Sequence, residues 1–191
     1  MTTIGTDGLV RCPWGISTAA YIAYHDEEWG RPVRDDRGLY ERLSLEAFQS
    51  GLSWLTILRK RPGFRRAFDD FDMDKVAAYG PADVERLLAD ASIVRNRRKI
   101  DATIANAQAS LDLPGGLAAL VWKYADPDAA APKTGADVPA TTPGSKALAK
   151  ELKGHGFRHV GPTTVYAMMQ ACGLVDDHLQ ECHRRGAYTA S

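Results

Sequence analysis

The sequence predicts an all-α protein, and three observations support that class. Apolar residues recur at three- and four-residue spacing, cap and stop residues bracket those stretches, and no segment of useful length alternates with period two. Asp36 is placed to cap a helix running to about Gln49, with Gly51 as its stop. Ser53 caps the next, which is expected to end before Pro62, because the residue preceding a proline disfavours helical backbone. Asp72 opens a short helix, and Pro81, at a first-turn position, opens another through Leu88. Ile100, Ile104, Ala107 and Leu111 keep the spacing of a buried stripe, and Gly116 to Tyr124 reads as one more helix. From Asp126 to Thr141 the chain turns rich in Ala, Pro, Asp and Thr without periodicity, which predicts a surface loop and a candidate boundary between lobes. Helix resumes with Thr142 as cap and Pro143 in the first turn, stops at Gly154, starts again near Pro162 and ends at Gly173.

The 191 residues suffice for a substantial core and are read as one domain, 1–191, or a tight pair of helical lobes. The 24 basic and 24 acidic side chains cancel, so no whole-molecule field announces nucleic acid or membrane. Any anionic partner has to be held by local patches. Three cysteines, an odd number, do not form a disulfide framework and suit a reducing compartment. No span approaches the about 18 apolar residues of a membrane helix, and the N-terminus lacks a basic stretch followed by an apolar run. A cytoplasmic protein with no membrane partner is expected.

Two pairs of candidate metal ligands lie at opposite ends of the chain: Cys12 with His25, and His178 with Cys182. The second pair is spaced i, i+4, which on one helix puts both side chains on one face and turns His183 away. Cys12 precedes Pro13 and so favours extended backbone. Joined, the pairs make an S2N2 set, the tetrahedral preference of zinc. With all four positions filled by protein, no water is activated there, and the ion would tie the termini together. No common zinc spacing separates Cys12 from His25, so two ordinary cysteines and two surface histidines remain the alternative.

On the wheel of the 36–49 helix, Glu46 falls within about 60° of Leu39 and Leu43, while Leu45 and Phe48 occupy other faces. The helix is therefore enclosed nearly all round, and Glu46 sits either at a cavity mouth or paired inside, unless it is an edge residue reaching solvent. Trp14, Tyr21, Tyr24, Trp29 and Trp54 gather in the same third of the chain. Such rings commonly serve as core anchors. Facing a carboxylate, they would equally suit a flat cationic ligand. The stretch Phe157 to Thr164 links two helices through Gly161, and it presents backbone N–H groups and the Thr163 and Thr164 hydroxyls as an anion-gripping helix hairpin does. Many hairpins use glycine only structurally. Basic runs at Arg59, Lys60, Arg61, Arg65, Arg66 and at Arg95, Arg97, Arg98, Lys99 are consistent with a DNA-facing side, or with an ordinary solvated face. Cys172, in an apolar run with no basic neighbour, reads as a packed thiol.

Three segments closely resemble the DNA-3-methyladenine glycosylase I family: Tyr21-Ile-Ala-Tyr-His-Asp-Glu-Glu-Trp-Gly30, Leu45-Glu46 followed by Gly51-Leu-Ser-Trp54, and Met169-Gln-Ala-Cys-Gly-Leu-Val-Asp-Asp-His178. The likeness runs from about Arg11 to Cys182. It implies a helix-hairpin-helix DNA glycosylase fold with a structural zinc clamp of Cys12, His25, His178 and Cys182 joining the terminal regions. It implies that Glu46 reads a methylated adenine, with Tyr24 and Trp54 as stacking and contact residues and Trp14, Tyr21 and Trp29 completing the wall. Gly161, Thr163 and Thr164 then belong to the DNA-gripping hairpin. The expected activity is hydrolysis of the N-glycosidic bond of 3-methyladenine in double-stranded alkylated DNA, by a monomer, without strand cleavage.

The wider superfamily carries a catalytic aspartate after the hairpin's second helix, where this family commonly has asparagine. Here that place falls on Asp176, read as a cap for the segment bearing His178. Two other classes stay open: a zinc-stabilised DNA-binding module without catalysis, and a zinc hydrolase, which would need an open coordination position. Whether 3-methylguanine is also accepted is not written in these motifs.

Overall fold

The computed structural model describes residues 1–188; the last three residues of the domain read as 1–191 lie outside the described residues. Among the described residues the chain is mostly helical: α1 (Ala19–Glu27), α2 (Asp36–Gln49), α3 (Trp54–Ala67), α4 (Met73–Ala77), α5 (Pro81–Ala89), α6 (Arg97–Leu111), α7 (Gly116–Trp122), α8 (Pro143–Gly154) and α9 (Pro162–Ala171). A two-residue antiparallel pair, Thr3–Ile4 with Val10–Arg11, precedes them. Most boundaries follow local chemistry. Ser53, Asp72 and Thr142 each accept a hydrogen bond from the backbone N–H three residues on, and Pro81, Pro143 and Pro162 occupy first turns.

Several expectations are corrected. The cap of α2 is Asp35, which accepts from Gly38 N at 2.7 Å. Asp36 instead reaches across the fold, accepting from Ala118 N at 2.7 Å at the start of α7. Gly116 fits there because a Cβ would lie 2.4 Å from the Asp36 carboxylate. The helix α3 does not stop before Pro62. Pro62 is exposed while Ile57, Gly63, Phe64 and Ala67 are buried, so burial of that face outweighs a proline cost of about 3 kcal/mol. In α6, Ile100 and Ala107 are buried, but Leu111 is 41% exposed, because the last turn runs beyond the packed face. Helix α1, whose buried residues are Tyr24 and His25, has no apolar stripe to announce it. The largest correction concerns residues 174–188, which form turns rather than helix, so His178 and Cys182 do not share a helical face.

The core is built around α2, which packs on α3, α6, α7 and α9. Tyr40 on α2 donates to Thr103 O on α6 at 2.9 Å, and Phe48, Phe64, Phe68 and Phe71 form a contiguous ring cluster. Burying each such side chain contributes about 1.5–3 kcal/mol. The C-terminal turns dock on the N-terminal segment: His183 N donates to Val10 O at 2.8 Å and Gly30 N to Ala171 O at 3.3 Å. Loop 126–141 is tied down as well, since its Pro132 carbonyl accepts from Gln180 N at 2.8 Å. Among the described residues, no helix is long and apolar enough to cross a membrane.

Candidate active site

Enclosure of α2 on every side, by the packing just described, leaves Glu46 only 6% exposed. No hydrogen bond or ion pair reaches its carboxylate among the described residues. Arg42 lies one turn earlier, but its guanidinium is drawn to Glu28 at 3.5 Å and Glu41 at 3.4 Å. Burial therefore pushes the Glu46 carboxyl up to about 8, with Arg42 opposing only in part.

That acid opens into a cavity of about 410 Å³, and all six residues read from the sequence as its wall or reader line it: Trp14, Tyr21, Tyr24, Trp29, Glu46 and Trp54. Helix α1 supplies Tyr21 and Tyr24, the turn Pro13–Ile16 supplies Trp14, and Trp54 begins α3. Tyr24 lies 5.3 Å from Trp54 between ring centroids, and Trp14 stands edge-on to Tyr21 at 5.9 Å and to Trp29 at 4.9 Å. Tyr21 Oη accepts from Leu55 N at 3.0 Å, locking α1 to α3. Tyr24 is buried, and desolvation, then the charge of Glu46, drives its phenol well above the usual range, keeping it a donor. The indole Nε1 of Trp54 is buried without a partner among the described residues, so this wall residue carries an unspent donor.

Behind the aromatic wall, the four predicted ligands converge despite the lost helix. Cys12, His25, His178 and Cys182 are all buried, with ligand atoms within 4.8 Å of one another. Cys182 Sγ lies 3.5 Å from His25 Nε2 and 3.5 Å from His178 Nδ1, and Cys12 Sγ lies 3.8 Å from His178 Nδ1. Each histidine is held from its far nitrogen: His25 Nδ1 donates to Asp26 at 2.8 Å, and His178 Nε2 to the Trp29 carbonyl at 3.2 Å. Arg11 fixes Asp26 in turn, at 2.7 Å. Cys12 Sγ also accepts from Leu179 N at 3.4 Å, and the neighbouring Cys12, His178 and His25 hold Cys182 below the usual thiol range. Gly15 permits the close packing, since a Cβ there would lie 2.6 Å from the His25 ring. His183 stands aside, bonded to Val10 O.

The hairpin joins α8 to α9. No side chain caps α9, whose first residues follow Gly161 and include exposed Thr163 and half-buried Thr164. Its loop is held from beneath by buried Asn106, which donates to Arg158 O at 3.0 Å and accepts from Arg158 N at 2.7 Å. The basic runs divide. Arg61 pairs with Glu28 at 2.5 Å, Arg65 with Glu41 at 2.8 Å, and buried Lys99 donates to Phe48 O and Ser50 O at 2.8 and 2.6 Å, capping α2. Exposed Arg98 remains near the hairpin, where burial and then its charge depress His159.

Asp176 caps no helix; it accepts from His178 N at 3.1 Å and Gly186 N at 2.8 Å within the turns, outside the cavity. The cavity includes residues that motif reading passed over: Gln49, Gln170 and Asp177. Gln170 and Asp177 lay inside a recognisable segment, but nothing in their spacing marked them.

A helical core, an uncapped hairpin helix and an aromatic recess closed by an unpartnered acid together define a protein of the DNA glycosylase class. The chain belongs to the Methyladenine glycosylase family, whose model matches residues 14–185. It is 46% identical over 179 residues to DNA-3-methyladenine glycosylase 1 of Escherichia coli (strain K12), covering 91% of this chain and 96% of that protein. A crystal structure of 3-methyladenine DNA glycosylase I superposes with a TM-score of 0.89 at 45% identity, covering 92% of this chain and 99% of that one. A second, of a Tyr-to-Phe variant in complex with 3-methyladenine, gives a TM-score of 0.87 at 34% identity, covering 92% and 97%.

Proposed function

We propose that this chain is a base-excision repair glycosylase that removes 3-methyladenine from alkylated DNA, and that Glu46 reads the flipped-out base. The observation that carries the reading is a buried carboxyl with no partner among the described residues, inside a wall of indole and phenol rings. Burial in a recess of this kind keeps the acid protonated at neutral pH. An N3-methylated adenine in DNA is cationic; on entry it supplies the missing countercharge, and Glu46 ionises against it. The rings add stacking and cation–π attraction. Unmodified adenine brings no charge and leaves Glu46 neutral, so the same pocket holds it weakly.

Flipping unstacks the nucleotide at a cost of a few kcal/mol, which contacts to the backbone offset. Gly161, Thr163 and Thr164 at the start of α9 suit a phosphate, with Arg98 acting on His159 in the loop before them. In the chemical step, the C1′–N9 bond breaks and its electron pair passes to the purine, which leaves uncharged. Water oxygen bonds to C1′ and its proton goes to solvent. Among the described residues no lysine lines the cavity as an amine nucleophile, which supports hydrolysis without strand cleavage.

The Cys12, His25, His178 and Cys182 set fits zinc. Tetrahedral zinc at its usual bond lengths separates neighbouring N and S ligands by about 3.5 Å and two S ligands by about 3.8 Å; three of the four N–S separations here are 3.5, 3.5 and 3.8 Å, and all four ligand atoms lie within 4.8 Å of one another. Four protein donors leave no open position, so the ion would cross-link the terminal segments and supply no reacting group. Its effect on catalysis is positional: His178 packs edge-on to Trp29 at 4.6 Å and His25 edge-on to Trp14 at 5.2 Å, so the clamp braces two residues of the cavity wall.

Incubating the protein with methylated duplex DNA and separating the soluble bases tests the function directly. Free 3-methyladenine is the expected product. Retained DNA binding with no base released would instead identify a non-catalytic DNA-binding module.

A further inference from the structure

The part of the cavity wall contributed by α9 carries a polar arrangement to which the reading above gives no role. Gln170, two turns into α9, lines the cavity together with Asp177. Its amide is not free to face either way. Gln170 Nε2 donates to Asp177 Oδ2 at 2.7 Å, and the same oxygen accepts from Tyr166 Oη at 2.5 Å. A carboxylate offers acceptors, so the nitrogen of the amide turns towards Asp177 and the carbonyl Oε1 is left over. The Gln170 side chain makes no other hydrogen bond among the described residues. Asp177 is itself 7% exposed and held by two donors, so this orientation is set by a buried network rather than by solvent.

The cavity is lined from two packed helices, by the Glu46 carboxyl on α2, which keeps its proton until a cation enters, and by Gln170 on α9, whose Oε1 is the uncommitted acceptor. A purine carries either an amino group at its six position, which donates, as in adenine, or a carbonyl, which accepts, as in guanine. An amino group can donate to Gln170 Oε1. Against a carbonyl, Gln170 Oε1 leaves oxygen facing oxygen with no proton between, and a site built to hydrogen-bond one group rejects the analogue lacking it. From this juxtaposition we infer that Gln170, oriented by Asp177, is a specificity-determining residue that favours methylated adenine over methylated guanine. The inference rests on the base-pocket reading and adds the choice between the two purines.

Three tryptophans line the cavity, so fluorescence quenching reports occupancy by a free base. The test measures the affinities of free 3-methyladenine and free 3-methylguanine for the wild type and for Gln170→Met, which keeps side-chain length and removes the acceptor. Affinity for 3-methyladenine falls about tenfold, while affinity for 3-methylguanine changes less than twofold or improves. An equal loss for both bases, or an unchanged preference, overturns the assignment. Thermal melting checks folding, and Gln170→Ala is the second variant should the first melt early. Failure of the base-pocket reading shows separately, as wild-type protein that releases no 3-methyladenine from alkylated DNA.

Discussion

Replacing Glu46 with Gln trades function for stability, and the trade is measurable as a pH-dependent difference in melting temperature. In the folded protein the carboxyl lies near 8, against an ordinary 4.5. That gap corresponds to about 5 kcal/mol, an upper value because the recess can relax and admit water. Between pH 4.5 and 8 the folded state keeps a proton that the unfolded chain has lost. Stability from this group is thus fully present below the unfolded value and is lost as pH rises through the folded one. Glutamine has the same shape and no proton to lose. Wild type and Glu46→Gln should melt together near pH 4.5, and the variant should gain steadily, by on the order of 10 °C at pH 8.5. Titration of the thiols and histidines affects both proteins alike and cancels in the difference. The assay is calorimetric melting from pH 4.5 to 9, with single-turnover release of 3-methyladenine at pH 7.5 as its companion. Release should fall about a hundredfold or more, with DNA binding retained. A melting difference that is flat across pH would refute the unpartnered buried acid, and unchanged release would refute its role as the reader.

Three further outcomes follow from the geometry. Purified wild type should carry one equivalent of zinc by metal analysis and Cys182→Ala none, with melting lowered by on the order of 10 °C; metal-free wild type with unaltered melting would remove the clamp from the account. Thr163→Glu sets a negative charge where a phosphate is to sit, so duplex affinity by anisotropy should drop about tenfold or more while quenching by free 3-methyladenine stays the same; equal affinity for DNA would move the contact elsewhere. Asn106→Leu strips both hydrogen bonds from the Arg158 backbone, and urea unfolding should show a loss of about 2–3 kcal/mol. A loss under about 0.5 kcal/mol would mean the hairpin holds itself.

Where chemistry is local, the sequence was readable. Thr142 with Pro143, and Gly161 with Pro162, marked α8 and α9 because a cap and a first-turn proline act within one turn. The enclosure of Glu46 followed from leucines and a phenylalanine on several faces of one helix. Adjacent Asp35 and Asp36 are equivalent as caps until the fold gives Asp36 a partner 82 residues away. Pro62 shows burial prevailing over propensity. The i, i+4 spacing of His178 and Cys182 pointed to a helix that does not form, yet the ligands meet, because tertiary docking of the chain ends brings them together rather than helical periodicity. Lys99 was read as part of a basic run and instead caps α2, and Asn106 and Gln170 could not be singled out, since a polar side chain gains its role only from the backbone or carboxylate that folding places beside it.

The account turns on Glu46 acquiring its charge only when a cationic methylated purine arrives. Titrating the protein with 3,9-dimethyladeninium, which stays cationic across the neutral range, in two buffers of different ionisation enthalpy at pH 7 measures that event. The wild type should release close to one proton per site, and Glu46→Gln should release none. Binding without proton release by the wild type, or equal release by both proteins, would contradict it.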